Sequence, residues 1–364
     1  MKKKKNKKIL VICPAPEKVY PSQRLKYEQY FPYWRQAGYS ITVAPFMIHG
    51  LWNVLYRNGY FFSKFILTIW GYFKRIADIF RAPFYDLVYI HLWVTPFGSS
   101  LFEWLMKLAN PHIVYDIDDA VFKGHKSKMN WFIAFLKGKK KIFTLMKIAK
   151  HVIVCTKYLE EEALKHNQNV TDISSTFDTE RFIPLKEYKK SEVVTLGWTG
   201  SHSTIPFLHL LDEALKEVAI SRKIVLRVIC DRDFELNGVK VENIRWSEHN
   251  EVFDLHGIQI GLYPTPKEEW VLGKSGLKGL TYQSCGIPCV ATAFGSNLEN
   301  FEHGVTGFLA DTNEEWVKFI IELIDDERLR EKMGKAGREN VLKNFSVEAN
   351  KSKYLNILNG VVKQ

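Results

Sequence analysis

Two lysines four residues apart are the first candidates for binding an anion in this sequence of 364 residues. Lys274 and Lys278 lie on either side of the start of a helix predicted over Gly276–Ser284. Side chains at this spacing share one helix face, and cations at a helix N-terminus oppose the helix dipole. An anion bound between the two lysines would relieve that cost. The alternative is that both are solvated surface residues.

A second candidate is the turn after the strand predicted at Val193–Trp198. Gly200 and Ser201 follow this strand, and a helix is predicted from Ile205 onward. Glycine allows close approach to the backbone, and a helix N-terminus offers free N–H groups and the positive end of its dipole. Such a turn suits a pyrophosphate. The same residues also fit an ordinary strand–turn–helix with a serine cap.

Three carboxylates end the strand predicted at His112–Asp118. Asp116, Asp118 and Asp119 repel one another, and aspartate is a poor strand former, so their clustering favours a functional site. They are suited to binding a metal cation, to hydrogen bonding with sugar hydroxyls, or to orienting an acceptor oxygen as a general base. The alternative is that Asp118 or Asp119 caps the next helix.

Two further polar residues follow predicted strands in the first half of the chain. His91 lies at the end of the strand Asp86–Leu92. It is suited either to donating a hydrogen bond to a substrate or to a structural role, with its ring hydrogen-bonded within the protein. Arg24 follows the first strand and is either an anion ligand or a helix-surface residue. In parallel sheets, ligands bind outside the carboxyl ends of the strands, where all these candidates are predicted to lie.

Strand and helix patterns alternate along the whole chain. The predicted strands are Lys8–Pro14, Ser40–Phe46, Asp86–Leu92, His112–Asp118, Val152–Thr156, Val193–Trp198, Val225–Cys230, Asn243–Trp246, Ile258–Tyr263 and Cys289–Ala293. Their near-continuous apolar runs predict parallel sheets covered on both faces, hence an α/β fold. Because the alternation runs twice, we expect two doubly wound domains, residues 1–188 and 189–344, with the join near Pro184–Glu192.

The composition limits the classes of function. Residues 1–180 hold 27 Lys+Arg against 14 Asp+Glu, whereas the remainder holds 24 against 26. Five scattered cysteines argue against a disulfide framework, so a reducing compartment is expected. No segment resembles an export signal or a membrane span. Basic residues interleave with aromatic ones over Leu51–Phe80 and Asn130–Lys150, which favours an anionic membrane surface or a buried aromatic helix with a solvated basic face. No nucleic-acid motif is present.

The chain resembles the retaining glycosyltransferases of family 4. Gly273–Ala310 reads like the family's donor-site helix and the Gly-x-Pro, Gly-x-x-x-Glu and His-Gly-x-x-Gly-Phe segments that follow it. Ser175–Pro184 (STFDTERFIP) is similar to its crossover segment. Val114–Phe122 (VYDIDDAVF) resembles bacterial enzymes of surface-polysaccharide assembly. The resemblance implies the GT-B fold, with two Rossmann-like domains facing across a cleft and a last helix, 345–364, packing back on the first domain.

The resemblance also implies a hexosyltransferase that uses a nucleoside-diphosphate sugar and a saccharide or lipid-linked acceptor. We expect the pyrophosphate near Gly200, Ser201, Lys274 and Lys278, and the resemblance implies that Glu299 reaches the ribose or the sugar. On the acceptor side we expect Arg24 and Asp116, with Asp118, Asp119 and His91 as catalytic candidates. Neither a metal nor a cofactor is expected beyond the donor substrate. The expected location is the cytoplasm, at the inner face of the cell membrane.

The sequence departs from the family pattern at two places. The Arg and Lys with which the family usually binds the diphosphate, near the first strand of the second domain, are replaced by Trp198, Ser201 and His202. The family's two glutamates, eight residues apart, align with Gly273 and Thr281, neither of which is acidic. The missing glutamates favour one alternative, a catalytically degenerate GT-B protein that binds a glycan or partner at the membrane. A nucleotide-sugar epimerase on the same fold is a second alternative.

Overall fold

The computed structural model describes residues 6–55, 57–123, 140–185 and 193–362. The chain divides into two compact units, Met1–Thr176 with Asn350–Gln364, and Phe177–Ala349. Within the described residues, each unit holds one six-stranded sheet whose paired strands are all parallel. The predicted α/β fold with two parallel sheets is confirmed.

The first sheet has the strand order β2-β1-β3-β4-β5-β6. Its strands are β1 (Lys7–Cys13), β2 (Tyr39–Pro45), β3 (Leu87–His91), β4 (Ile113–Asp116), β5 (His151–Val154) and β6 (Val170–Asp172). Strands β3 and β4 are buried along their whole length, as expected when helices cover both faces of a parallel sheet. The edge strand β6 has three residues, all half-buried, and the sequence pattern did not predict it.

Eight helices accompany this sheet in the described residues. They are α1 (Pro21–Lys26), α2 (Phe31–Gln36), α3 (His49–Leu55), α4 (Phe61–Arg81), α5 (Leu101–Ala109), α6 (Lys140–Ile148), α7 (Lys157–Leu164) and the C-terminal α15 (Val347–Val361). The sequence predicts one helix over Arg24–Ala37, but the structure has two, because the backbone of Tyr27 is not helical and α2 begins at Phe31, with Pro32 in its first turn. The sequence also predicts a helix at Trp131–Lys150, of which residues 131–139 lie outside the described residues.

The second sheet has the order β12-β11-β10-β7-β8-β9. Its strands are β7 (Val194–Thr199), β8 (Ile224–Cys230), β9 (Val241–Arg245), β10 (Ile260–Tyr263), β11 (Cys289–Thr292) and β12 (Phe308–Ala310). Its helices are α8 (Ile205–Leu208), α9 (Asp212–Ser221), α10 (Glu251–Leu255), α11 (Leu277–Ser284), α12 (Asn297–Asn300), α13 (Asn313–Asp325) and α14 (Glu327–Asn340). The helix predicted from Ile205 is interrupted by a short 3-10 turn, so that α8 and α9 are separate.

The division between the units falls at Thr176 and Phe177, twelve residues before the predicted boundary at 188. Phe177 belongs to the second unit because its N–H donates to the carbonyl of Phe345, at 2.8 Å, and its carbonyl accepts from Val347. From residue 350 onward α15 belongs to the first unit, where the Tyr354 hydroxyl donates to the carbonyl of Lys26, at 3.2 Å. No helix in the described ranges combines the length and apolarity needed to span a bilayer.

Candidate functional site

Helix α11 is fixed to the carboxyl end of the second sheet through Tyr282. The buried hydroxyl of this tyrosine accepts a hydrogen bond from the N–H of Thr199, at 3.1 Å, and donates to the carbonyl of Gly197, at 3.2 Å. Both partners lie in β7. Lys278 is one turn earlier on the same helix face, so the tyrosine anchor holds the lysine beside the loop that follows β7.

Lys278 reaches that loop directly. Its Nζ donates to the Oγ1 of Thr204, at 3.1 Å, and lies 4.4 Å from the ring centroid of Trp198. An ammonium group has three donors, and no described residue accepts from the other two or forms an ion pair with Lys278. The structure thus places a cation with unused donors at the end of β7.

The surroundings disfavour the charged form of Lys278. Burial lowers the pKa of its ammonium from 10.5 to about 7, and the neighbouring Cys230 thiol opposes this shift only in part. Burial of a cation that has no carboxylate nearby disfavours its charged form and so lowers its pKa. A bound anion would restore the charge, so the arrangement suits a negatively charged ligand better than an empty site.

The loop amides differ from the predicted anion cradle. The N–H of Gly200 donates to the carbonyl of Ile229, at 3.0 Å, and the N–H of Ser201 donates to Thr204 Oγ1, at 3.2 Å. Ser201 and Thr204 form a capping box for the following turn. A Cβ on Gly200 would lie 2.3 Å from the ring of Trp198, so close packing already requires glycine there. The ordinary capped turn therefore accounts for both residues in this conformation.

Lys274 does not share a helix face with Lys278, contrary to the sequence prediction. Helix α11 begins only at Leu277, because Gly276 has a left-handed backbone (φ +72°), and Lys274 is extended. Its Nζ lies 5.8 Å from the centroid of Trp270, whose ring contacts Phe207 of α8 at 5.8 Å. Both lysines therefore lie near the turn after β7, but Lys278 is on α11 and Lys274 is in the loop that precedes this helix.

The loop of Lys274 depends on Gly276, which gives a first stability prediction. A Cβ at Gly276 would lie 2.2 Å from Nδ2 of Asn300, which donates to the carbonyl of Ser275. We expect Gly276→Ala to lower the free energy of unfolding by roughly 2–3 kcal/mol, from backbone strain and the lost hydrogen bond. Gly304→Ala is the matched control, because φ is +77° and a Cβ there meets nothing within 4 Å. Urea denaturation should show a clearly larger loss for Gly276→Ala; equal losses would contradict the steric account.

Glu299 lies on the short helix α12 and is exposed. This helix packs against the loop before α11, since Ser296 Oγ donates to the carbonyl of Lys274 and Asn300 Nδ2 donates to that of Ser275. The structure thus brings the segments of Glu299 and Lys274 together at the carboxyl end of the second sheet.

One polar pair beside the same loop was not predicted. His202 and Asp231, which follow β7 and β8, are joined by two hydrogen bonds of 2.6 Å, from the backbone N–H and from Nδ1 of His202. Burial raises the pKa of Asp231, but these hydrogen bonds outweigh it and lower the pKa to about 2. The signal available from sequence was the position of both residues directly after neighbouring strands.

In the first unit, the structure brings together three residues from three segments. His91 Nε2, at the end of β3, lies 3.2 Å from Ser22 Oγ and 3.8 Å from Asp118 Oδ1. Ser22 also donates to Asp118. The ring of His91 is fully buried, and its Nδ1 has no hydrogen-bond partner in the described residues. His91 and Asp118 are therefore neighbours, as predicted for ligands at adjacent strand ends, and Ser22 is an additional member.

Asp116 has a different environment from Asp118. It is fully buried, accepts from the hydroxyl of Tyr89, and lies 3.7 Å from Nζ of Lys26. Burial raises the pKa of the Asp116 carboxyl, and the charge of Lys26 partly opposes this shift. Because Lys26 also donates to carbonyls of β5 and of residue 173, the pair links α1 to the sheet. No atom of Asp116 is exposed in this unit, so these contacts account for it structurally.

The two other predicted residues of the first unit are Asp119, which follows Asp118, and Arg24, two residues after Ser22. Asp119 is half-buried in the bend after β4, and its carbonyl accepts from the N–H of Val121. Arg24 is half-buried on α1, where its positive charge acts to lower the pKa of Glu28, although burial raises that pKa more strongly. Among the described residues no group of three or more His, Cys, Asp or Glu side chains is arranged to hold a metal ion.

Comparison with solved structures identifies the fold. A glycosyltransferase from Rickettsia africae aligns with a TM-score of 0.69 and 14% identity, over 98% of both chains. HepE from Anabaena, solved in complex with UDP and glucose, aligns with a TM-score of 0.61 and 16% identity, over 97% of this chain and 100% of that one. The two parallel six-stranded sheets are thus those of GT-B glycosyltransferase structures.

Comparison with sequences identifies a family segment. Residues 274–340 match the family model described as glycosyl transferases group 1, a range that starts at Lys274 and contains α11 and α12. N-acetyl-alpha-D-glucosaminyl L-malate synthase from Bacillus anthracis is 34% identical over 90 residues, which are 24% of each chain. The chain thus matches about a quarter of the length of this curated relative. We refer to the matched range, residues 274–340, as the group 1 segment.

Proposed function

We propose that this protein is a retaining glycosyltransferase that moves a sugar from a nucleoside-diphosphate sugar to a saccharide or lipid-linked acceptor. The group 1 segment supports an enzyme of the transferase class. The fold neighbour HepE was solved with UDP and glucose, which supports a nucleotide-sugar donor. Retention and a role in surface-polysaccharide synthesis rest on the motif resemblance alone.

The observation that carries the proposal is the environment of Lys278. The lysine lies within the group 1 segment, is partly buried at a strand end, and has donors that no described carboxylate fills. Sugar diphosphates present closely spaced anionic oxygens, which charge-assisted hydrogen bonds from an ammonium stabilise strongly. We therefore assign the donor diphosphate to Lys278, with Lys274 as a second cation.

The positive charge of Lys278 is proposed to stabilise the transition state of sugar transfer as well as to bind the donor. When the bond between the sugar and the diphosphate breaks, negative charge grows on the departing diphosphate. An ammonium held by α11 in a partly desolvated site stabilises that charge without needing to reorganise. The amides of Gly200 and Ser201 are engaged within the protein, so the side chain of Lys278 carries most of this task.

The first unit is proposed to serve the acceptor. The carboxylate of Asp118 contacts both Ser22 and His91, which makes it the best-placed general base among the predicted carboxylates. In this role Asp118 would take the proton of the acceptor hydroxyl as the new glycosidic bond forms. Arg24 and Asp119 stay proposals for acceptor binding, whereas Asp116 contributes through the position of Lys26 and β4.

A transfer assay tests the function. The protein is incubated with UDP-sugars and GDP-sugars, with saccharide acceptors, with a lipid-linked saccharide, and without acceptor. Product formation that depends on the acceptor, with release of the nucleoside diphosphate, supports the proposal, and NMR of the new anomeric centre reports retention or inversion. Interconversion of the nucleotide sugar without transfer would identify an epimerase instead.

The pKa of Lys278 gives a pH prediction for donor binding. Free Lys278 loses its charge above pH of about 7, while a bound diphosphate raises the pKa, so binding takes up a proton at higher pH. We expect UDP affinity to fall by about tenfold per pH unit between pH of about 7 and 9, and not to depend on this group at lower pH. Calorimetry in buffers of different ionisation enthalpy should show nearly one proton taken up at pH of about 8.

Lys278→Arg is the control for the pH prediction, because a guanidinium stays charged throughout this range. Its UDP affinity should be nearly independent of pH and its binding should take up no proton. A wild-type affinity that does not change with pH would contradict a neutral Lys278 in the free protein.

A second candidate function is supported by the two altered positions of the family pattern. Gly273 is buried, and Thr281 Oγ1 donates to the carbonyl of Leu277 within α11. Neither position presents a carboxylate to a donor, which favours a binding protein without transferase activity. Acceptor-dependent transfer at any enzyme concentration would exclude this candidate, while tight UDP binding without transfer would favour it.

A further inference from the structure

Helix α4 buries one charged pair, Arg75 and Asp78, and exposes most of its large apolar residues. Its 21 residues bury Gly71, Arg75 and Asp78. The outward face, called here the α4 stripe, repeats at helical spacing and is exposed; it consists of Phe62, Phe65, Ile66, Ile69, Trp70, Phe73, Ile76 and Phe80. An ordinary surface helix has the reverse arrangement. Exposed apolar surface of this continuity marks an interaction site.

The buried contacts fix which face of α4 is turned outward. Arg75 donates to the carbonyls of Val94 and Ala44, at 2.8 and 2.9 Å, and to Asp78 at 2.7 Å. Gly71 lets the ring of Phe46 approach so closely that a Cβ would lie 2.7 Å from it. Rotating the helix to bury the stripe would break these bonds, so the outward position of the stripe is built into the unit.

The neighbouring helix extends the apolar surface. Helix α5 packs on α4 through Phe102 and Tyr72, whose rings are 5.6 Å apart. It exposes Leu101, Trp104 and Leu108, of which Leu108 is 79% accessible. Aromatic side chains prevail on α4, and such rings favour the boundary between headgroups and acyl chains of a bilayer.

The charges around the stripe indicate which partner it meets. Residues 49–85 contain four basic residues that are exposed or half-buried, namely Arg57, Lys64, Lys74 and Arg81. The fifth basic residue, Arg75, and the single acidic residue of this range, Asp78, are buried and paired with each other, and Asp78 also pairs with Arg81. A second copy docking through the same stripe would bring like charges together. Anionic lipid headgroups instead complement a basic border.

We infer that the α4 stripe binds the surface of an anionic lipid bilayer, with α4 lying in the plane of the interface. At about 30 Å long and with lysines along its sides, α4 suits this in-plane position. The inference deepens the proposed function, since a lipid-linked acceptor would lie in that bilayer, but it stands on the α4 contacts and is tested separately from UDP binding.

The test compares two triple variants by vesicle sedimentation. Phe65→Ser/Ile69→Ser/Phe73→Ser removes the middle of the stripe. The control, Leu164→Ser/Ile220→Ser/Phe253→Ser, removes exposed apolar residues elsewhere. The full-length proteins are mixed with vesicles of phosphatidylcholine alone, or of equal parts phosphatidylcholine and phosphatidylglycerol. Circular dichroism checks the fold, and ultracentrifugation measures self-association.

We expect wild type and control to sediment with the mixed vesicles, less so at high salt, and the stripe variant to bind at least about tenfold more weakly. The stripe variant should keep wild-type affinity for UDP, because no stripe residue lies in the second unit. Wild type that stays in the supernatant, or a folded stripe variant that binds like wild type, would overturn the inference. A different outcome is that wild type and control form dimers and do not bind vesicles, while the stripe variant is monomeric. That result would assign the stripe to contact with a second copy of the chain. Wild type that does not bind UDP would instead count against the proposed function.

Discussion

Lys278→Met should weaken binding of UDP by about 2–3 kcal/mol, or roughly 30- to 150-fold. Methionine keeps the length and apolar stem of the side chain but removes the charge that the diphosphate would meet. It also removes the bond to Thr204, which leaves a hydroxyl that still donates to the carbonyl of Ser201. Loss of a desolvated cation should not destabilise the fold, since burial lowers the pKa of Lys278 below its unfolded value.

Titration calorimetry with UDP at pH of about 6.5, where Lys278 is mostly charged, measures this effect. Lys318→Met is the matched control: Lys318 lies on α13 of the same unit, and its Nζ is 5.5 Å from the ring of Phe319. It should bind UDP like wild type. Lys274→Met should have a smaller effect than Lys278→Met, because Lys274 lies outside the helix that is anchored to β7. An unchanged UDP affinity in Lys278→Met would show that this side chain does not bind the diphosphate.

The strands could be predicted from the sequence because parallel sheets bury both faces. Continuous apolar runs such as those of β1 and β8 indicate buried strands when they alternate with helical segments. The two missed strands, β6 and β12, are edge strands of three residues each, too short for any period to be visible. The longer strands, including the edge strands β2 and β9, were therefore predictable, and the two shortest edge strands were not.

The position of Lys278 could be predicted, but its environment could not. A residue at the start of a helix after β10 was expected near the carboxyl end of the sheet. The anchor through Tyr282 and the stacking on Trp198 depend on tertiary packing that no local pattern encodes. The error on Lys274 has a local cause: spacing of four residues implies a shared face only where the helix has begun, and the left-handed Gly276 delays that start.

Helix α4 shows the limit of periodicity. The sequence pattern gives an aromatic face and a basic face, and left open which one is buried. The structure turns the aromatic face outward because Arg75 and Asp78 find partners in the interior. Such partners come from strand ends that are distant in sequence, so the choice of face follows from the fold and not from the helix.

Arg75→Met should lower the free energy of unfolding of the first unit by about 3–5 kcal/mol, the range for breaking a buried ion pair from one side. Arg75 is fully buried and donates to the carbonyls of Cys13, Ala44 and Val94 as well as to Asp78. The variant leaves these carbonyls without that donor, and among the described residues the carboxylate of Asp78 keeps the ion pair with Arg81, whose side chain is 40% exposed. Arg75 thus joins the ends of β1 and β2 to α4.

Because the chain has two units, hydrogen exchange of amides in β1 and β2 reports on the first unit better than a global transition. Those amides should exchange roughly 100-fold faster or more in Arg75→Met, since each 1.4 kcal/mol changes an equilibrium constant tenfold. Arg222→Met removes the exposed pair with Asp325 in the second unit, at 2.6 Å, and should leave the exchange of these amides as in wild type, because an exposed pair contributes little to stability. Arg75→Met/Asp78→Leu should recover part of the loss by removing the isolated carboxylate. Wild-type protection of β1 and β2 in Arg75→Met would mean that the buried pair does not hold α4 in place, and the outward position of the stripe would then need another cause.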